Sequence, residues 1–278
     1  MKFLKPTTLL LFCLLLWNCS EDDTSSEDTP NETFTGNFFP LTTNNEWRYE
    51  VNNTDNDTNT TETNEDVLTV ESESSNGFTL TANNGTVAYG TMSNILTTGE
   101  LTRTETTLAT NGSLSLPIDG LDFSIDFNNA LLYDTQASLN TELSSQTDSF
   151  TQDLQGFPIT ITYELTSTQL ENLDNLSVLN TNYDTVTSAN ITLRLSVSTT
   201  VTVGGFTQTL SLIDMQDVMS VDAFYAKNVG LISADAQIGY TLNANTLALL
   251  ELAGIELTNL PTSMSVTNTQ KLTTYALQ

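Results

Sequence analysis

The chain contains no histidine and only two cysteines in 278 residues. Without imidazole there is no Ser-His-Asp or Cys-His catalysis, no His-ligated zinc or haem and no histidine pH switch. Basic residues are nearly as scarce: 7 Lys and Arg stand against 34 Asp and Glu, a formal charge of −27. A field of that sign repels nucleic acid and anionic lipid headgroups, and no basic patch opposes it, so nucleic acid is excluded as a partner. The acid is spread along the chain rather than gathered in a block. It reads as solubility in an ion-rich exterior, with collection of divalent cations as the alternative. Long hydrophobic runs are missing as well. The nearest, Leu247 to Leu260, is interrupted by Glu251, Gly254 and Glu256, and a spanning helix needs roughly 20 apolar residues. What survives these absences is carboxylate, Ser/Thr, Tyr and Lys chemistry.

One shorter apolar run stands out at the start. A basic opening, Met1-Lys2-Phe3-Leu4-Lys5, leads into apolar chain from Thr7 to Trp17 and then into Asn18-Cys19-Ser20-Glu21-Asp22-Asp23. Basic start, apolar middle and abrupt acidic end predict a signal peptide over residues 1–18. The segment Leu16-Trp17-Asn18-Cys19 resembles the lipobox of bacterial lipoproteins, with Trp17 and Asn18 standing where that family usually has small residues. The resemblance implies a diacylglyceryl group on Cys19, cleavage before it and acylation of the new amine, so that the protein meets the membrane through N-terminal lipid. Two or more acyl chains hold stably, each buried methylene contributing about 0.8 kcal/mol. The residues that follow, Ser20-Glu21-Asp22-Asp23, resemble the short acidic export signal of Bacteroidota-type lipoproteins. That implies an outer membrane lipoprotein exposed on the cell surface; a plain acidic tether, with the periplasmic face as address, is the other reading.

Cleavage has consequences for the mature chain. Cys13 leaves with the signal, so the folded part has no internal disulfide and no thiol nucleophile. Lys2 and Lys5 leave too, and 5 basic residues then face 34 acidic ones, a net charge of −29. Residues 19–33 carry the lipidated cysteine and a stretch, SEDDTSSEDTPNET, with no apolar side chain to bury. Such a segment cannot offset its ordering entropy and is expected to be a disordered acidic tether, spanning roughly 20 Å as a flexible coil.

Residues 34–278 read as one all-β domain. Period-two alternation recurs, as half-buried strands require. It runs through Leu121-Asp122-Phe123-Ser124-Ile125-Asp126-Phe127, through Ile159, Ile161, Tyr163 and Leu165, and through Ile191, Leu193, Leu195 and Val197 with Arg194 on the other face. Turn signals punctuate it at Asn76-Gly77, Asn83-Asn84-Gly85, Asn111-Gly112 and Gly204-Gly205. Helical signal is scant: Asn245–Ala253 suits two or three turns, and Gln169–Leu179 is a weaker candidate. Successive hairpin units predict a single antiparallel meander forming a curved sheet, half-barrel or sandwich, with one or two short helices.

Two distant segments carry a second resemblance. Near the domain start stands Phe38-Phe39-Pro40-Leu41-Thr42-Thr43-Asn44-Asn45-Glu46-Trp47-Arg48-Tyr49, and far downstream Ala223-Phe224-Tyr225-Ala226-Lys227-Asn228-Val229-Gly230-Leu231-Ile232. Both are similar to segments of a loose group of Bacteroidota-type lipoproteins of unknown function. The group usually has glycine where Thr43 or Asn44 stands, and again at Asn228, where asparagine can also take the left-handed conformation. The resemblance implies a curved antiparallel sheet in the style of periplasmic carriers or lipocalin-like cups, and no activity. Trp47, alternating with Tyr49, is expected to plug the core where the first strand meets a later one; ligand stacking is the alternative.

Three candidate sites remain. Asp55-Asn56-Asp57-Thr58-Asn59 starts like an EF-hand loop, but Thr60 stands where glycine is required and Asp66 where glutamate is, so an irregular Ca²⁺ site competes with a solvated hairpin loop. Asp122 and Asp126 share a strand face about 13 Å apart, too far for one ion or for a glycosidase pair without cross-strand partners. Asp184-Thr185-Val186 resembles a short O-glycosylation acceptor, which implies Thr185 as a modified residue. No catalytic or metal-ligating set is assigned and no cofactor is expected beyond that weak Ca²⁺ loop. The chain therefore reads first as a non-catalytic envelope or surface lipoprotein with an envelope-protein or glycan partner. The alternatives are a binding module whose sheet encloses a lipophilic or glycan ligand, and a carboxylate-based hydrolase.

Overall fold

The structure is a computed structural model that describes residues 34–74, 77–115, 124–154, 156–203, 205–252 and 260–278. Cys19, the acidic run after it and the rest of residues 1–33 lie outside that range, as do Asn76, Asp122 and Gly204. Fourteen strands and two short helices follow one another: β1 (Glu46–Asp55), β2 (Thr60–Glu73), β3 (Phe78–Ala82), α1 (Thr91–Thr97), β4 (Glu100–Arg103), β5 (Thr107–Asn111), β6 (Ser113–Ser115), β7 (Ser124–Asp126), β8 (Ala130–Asp134), β9 (Thr141–Leu154), β10 (Phe157–Val178), β11 (Thr181–Val203), β12 (Phe206–Ala226), β13 (Gly230–Thr241), α2 (Ala244–Leu252) and β14 (Ser263–Ala276). The all-β expectation holds, and so does the antiparallel curved sheet.

Twelve strands form one sheet in the order β8-β5-β4-β3-β2-β1-β14-β13-β12-β11-β10-β9. Followed around, that is chain order, with the first and last strands joined by an antiparallel ladder from Glu46↔Ala276 to Asp55↔Val266. The meander therefore curls until it is nearly closed into a barrel. Its seam lies between β8 and β9, where side chains replace the backbone ladder. Gln169 accepts from the Asp134 N–H at 3.0 Å and donates to the Thr187 hydroxyl at 2.8 Å, and Asn172 donates to the Thr135 carbonyl at 3.1 Å. Amide side chains suit this role because they carry the donor and acceptor of a peptide group.

Alternation sorts the two faces. Along β10, Ile159, Ile161, Tyr163 and Leu165 are buried, while Thr160, Thr162, Glu164 and Thr166 face outward. Along β1, Trp47, Tyr49 and Val51 point in. A membrane barrel shows the reverse, apolar outside and polar within. This outer wall is paved with Thr and Ser and carries ion pairs such as Arg194–Glu164 at 3.1 Å and Arg194–Asp217 at 3.1 Å. It is a wall built to face water.

The interior is filled by the chain itself. Helix α1 touches β2 and β3 on one side and β12 and β13 on the other, burying Met92, Ile95 and Leu96 between them. Seven residues are too few for a helix stable alone, so its formation depends on what surrounds it. The Gly90 N–H donates to Asp66 at 2.7 Å, the Thr91 N–H to Asn268 at 3.0 Å and the Ser93 N–H to Gln270 at 3.2 Å. These caps come from β2 and β14, far away in sequence. Asp66 takes the Tyr89 N–H and the Asn83 amide as well, each at 2.9 Å.

Helix α2 falls where the sequence places one, and Asn243 opens it by accepting the N–H groups of Asn245 and Thr246. The other helical expectation, Gln169–Leu179, is overturned. That stretch continues β10, in register with β11 through Leu173↔Val186 and Leu176↔Tyr183. Pairing along a strand of 22 residues outweighs a local three-residue spacing.

Candidate functional site

The two ends of the barrel are built differently. At the rim where β1 begins, residues Phe34–Asn45 cross the opening, with Phe38, Phe39 and Leu41 buried. Phe39 stacks on Trp47 with ring centres 5.0 Å apart and meets Tyr225 edge-on at 6.1 Å, and Tyr225 leans on Tyr133 at 4.9 Å. Trp47 Nε1–H donates to the Val229 carbonyl at 2.6 Å, the Tyr49 hydroxyl to the Leu231 carbonyl at 3.0 Å, and the Asn228 N–H to the Asn37 carbonyl at 2.6 Å. The two segments singled out at opposite ends of the sequence thus meet here. Trp47 packs in the core as expected.

Backbone conformation explains the residue choices at this rim. Asn44 and Asn228 sit at φ 69° and 60°, where glycine would otherwise be favoured. Gly230 is at φ 112°, and a Cβ there would stand 2.9 Å from Trp47 Nε1 and 3.1 Å from the Phe39 ring. No side chain fits.

Among the described residues, the opposite rim, where β1 ends, is open. A cleft of about 240 Å³ sits between the first turn of α1 and the wall, with Tyr89, Thr91, Asn94 and Ser115 on one side and Met219, Ile238 and Val266 on the other. Asn53 donates to the Tyr89 carbonyl at 3.4 Å and holds that segment against β1. Met219 and Ile238 also line a second groove of about 310 Å³ in the outer wall. That groove exists because the β12–β13 ladder stops at Met219↔Ile238. Beyond it the strands diverge, and the Gln216 side chain bridges them, donating to the Thr241 carbonyl and accepting the Thr241 N–H, each at 2.9 Å.

The sequence-derived candidates lie elsewhere. Asp55 spends its carboxylate on the Asp57 and Thr58 N–H groups at 2.8 and 3.0 Å, and Asn59 turns the chain at φ 55°. This is a capped hairpin loop; the Thr58 amide, first among the donors, holds the Asp55 carboxyl below its ordinary range. Asp126 is exposed on β7. Thr185 is a half-exposed strand residue at φ 55°, its carbonyl taking the Lys227 N–H at 3.0 Å. Both neighbours of the pair Asp184-Thr185, Tyr183 and Val186, are buried, and the left-handed turn of the backbone at Thr185 lies between them.

Cross-strand carboxylates, which sequence cannot pair, do occur. Glu50 lies opposite Glu65 and Asp222 opposite Asp235, both pairs on the outer wall rather than in the cleft. Partial burial pushes the Asp235 carboxyl up, Lys271 opposes that, and Asp222 adds to it. No group of three or more metal-ligating side chains is found among the described residues. No helix among them is long and apolar enough to cross a membrane. The open cleft itself went unread in the sequence: its residues come from six separate stretches, and the alternation of Met219, Ile238 and Val266 signals only an inward face.

No protein-family model matches the sequence, no curated protein matches it, and no solved structure matches the fold.

Proposed function

We infer that the chain is a lipid-anchored, non-catalytic interaction protein of the bacterial cell envelope, carried on Cys19 and displayed on the outer face of the outer membrane. The observation that carries this reading is the difference between the barrel's ends. Residue 34, where the described domain begins, belongs to the sealed rim, and the cleft opens at the other. The water-facing wall agrees with display in solvent, and the lipobox-like Leu16–Cys19 with the acidic run after it supplies the address.

A more specific second reading is a binding module for a glycan or lipophilic ligand. The rim cleft favours it, although a ligand in the barrel's interior would have to displace α1 and the aromatic seal. A carboxylate hydrolase is supported least, because the cleft lining contributes no Asp or Glu.

Metabolic labelling with a palmitate analogue tests the anchor. The wild-type protein is expected to take up label and sediment with membranes, and Cys19→Ser to do neither. Protease added to intact cells is expected to digest the wild type. An unlabelled, freely soluble wild-type protein contradicts the reading, and protection from protease moves the address to the periplasmic face.

A further inference from the structure

The open cleft has a lining unlike the rest of the molecule. In the sealed interior, the buried amide side chains are spent. Asn268 and Gln270 cap α1, Gln169 stitches the seam, and Asn45 takes the Gln278 N–H while donating to the Pro40 carbonyl. In the cleft the Asn94 carboxamide and the Thr91 and Ser115 hydroxyls make no hydrogen bond to any described residue. Each is both donor and acceptor. Facing them are apolar Met219, Ile238 and Val266, and Tyr89, 52 % exposed, stands at the lip.

Charge narrows what this lining can hold. No Asp, Glu, Lys or Arg contributes to it, in a chain where 34 residues are acidic. An anion finds no cationic side chain, and the first amides of α1 are already taken. The Gly90 N–H in particular points at Asp66, whose buried carboxylate lies just beneath the floor. A cation gains nothing either, because Asp66 is 0 % exposed and its oxygens accept three N–H donors. Desolvating a charge without a partner costs several kcal/mol. The ligand is therefore uncharged.

Shape and polarity narrow it further. One wall offers hydroxyl and amide groups that can both give and accept, the other an apolar surface with an aromatic ring at the entrance. A pyranose ring has that complement: hydroxyls around its edge and C–H groups across its faces. Ligand sites typically measure roughly 300–1,000 Å³, so a cleft of about 240 Å³ suits one ring rather than an acyl chain. The adjoining groove of about 310 Å³ shares Met219 and Ile238, adds Gln216, Gln237 and Tyr240, and carries one carboxylate, Asp217, already paired with Arg194 at 3.1 Å; it gives a second ring a path out through the gap between β12 and β13. We propose that the open rim binds the end of an uncharged oligosaccharide, one sugar ring in the cleft between α1 and Met219 and the next in the gap between β12 and β13. This rests on the interaction reading above and names the ligand class of that site.

The test is calorimetric titration of the full-length protein in detergent with neutral gluco-, manno-, xylo- and galacto-configured oligosaccharides, each beside its free monosaccharide and, where one exists, its uronate counterpart. At least one neutral series is expected to saturate below about 10 mM, with the oligosaccharide tighter than the monosaccharide and the uronate weaker. Tyr89→Ala and Asn94→Ala are each expected to weaken that binding about tenfold or more, and Met219→Trp to abolish it by filling the shared wall. Leu139→Ala, an exposed residue at the other rim, leaves it unchanged. Circular dichroism confirms that each variant is folded. No saturable binding by any neutral oligosaccharide overturns the proposal, as does preference for the uronates or indifference to all three cleft substitutions. Release of the Cys19→Ser protein from membranes is scored independently of this titration, so a failed anchor and a failed ligand are told apart.

Discussion

The sealed rim and the open rim draw on the same residue types and use them in opposite ways. At the sealed rim Phe39, Trp47, Tyr133 and Tyr225 pack on one another without access to water, and the Asn37 and Asn45 side chains are consumed, Asn37 by the Phe39 N–H and Arg103, Asn45 by the Gln278 N–H and the Pro40 carbonyl. At the open rim Tyr89 is half exposed and Asn94 keeps its amide free of described partners. The contrast teaches where the fold places its stability. Buried aromatics and satisfied amides lock one end; the other end forgoes that packing and retains a surface with unspent hydrogen-bonding capacity. Stability and recognition are separated along the barrel axis.

That separation can be broken by experiment. The largest effect is expected in alkali. Burial pushes the hydroxyls of Tyr49, Tyr133 and Tyr225 well up from their ordinary value. The folded state therefore keeps three protons that the unfolded chain releases above about pH 10, and stability falls as pH rises from there. Below that value both states are protonated and these groups add no pH dependence. Absorbance at 295 nm is expected to show the ionisation of these three tyrosines arriving together with loss of the fold; their titration in a protein that is still folded would contradict it. Next, Trp47→Ala is expected to cost about 3–5 kcal/mol in urea unfolding, whereas Tyr89→Ala at the open rim stays within about 0.5 kcal/mol. Equal losses would erase the contrast. Gly230→Ala is expected to cost about 2–3 kcal/mol, since it adds both a left-handed Cβ and a contact with Trp47.

A smaller prediction has the opposite sign. The Tyr225 hydroxyl is buried and has no hydrogen-bond partner among the described residues. An unsatisfied buried hydroxyl costs about 1–3 kcal/mol, so Tyr225→Phe is expected to stabilise the protein by up to about 1 kcal/mol. Destabilisation on that change would mean the hydroxyl has a partner, and the seal would need redrawing.

How much of this was legible in the sequence depended on range. Alternation at Ile159–Leu165 and Ile191–Val197, and the turns at Asn83-Asn84-Gly85 and Gly205, are local signals, and the strands and left-handed residues fall where they indicate. The same is true of α2, whose cap Asn243 lies immediately before it. Helix α1 was invisible because its caps, Asp66, Asn268 and Gln270, are supplied by strands distant in sequence. Those inward polar residues also disguised β14, where Asn268 and Gln270 interrupt the apolar alternation. Closure was beyond reach for the same reason: the β1–β14 ladder joins the two ends of the domain. Trp47 and Gly230 could be singled out separately, but their contact, which makes each necessary, is a property of the barrel. The cleft was the least legible, since it exists where the β12–β13 ladder stops and an ending leaves no motif.

The most direct measurement is hydrogen exchange across the two rims, with and without the oligosaccharide that the titration selects. The amides of Trp47–Val51 and Leu231–Ser233 are predicted to exchange only through global unfolding, unchanged by sugar. The segments around Tyr89–Asn94 and Gln216–Met219 are predicted to exchange faster in the free protein and to slow when sugar is added. Equal protection at both rims, with no change at Tyr89–Asn94 on adding any neutral oligosaccharide, would contradict the division of labour on which the account rests.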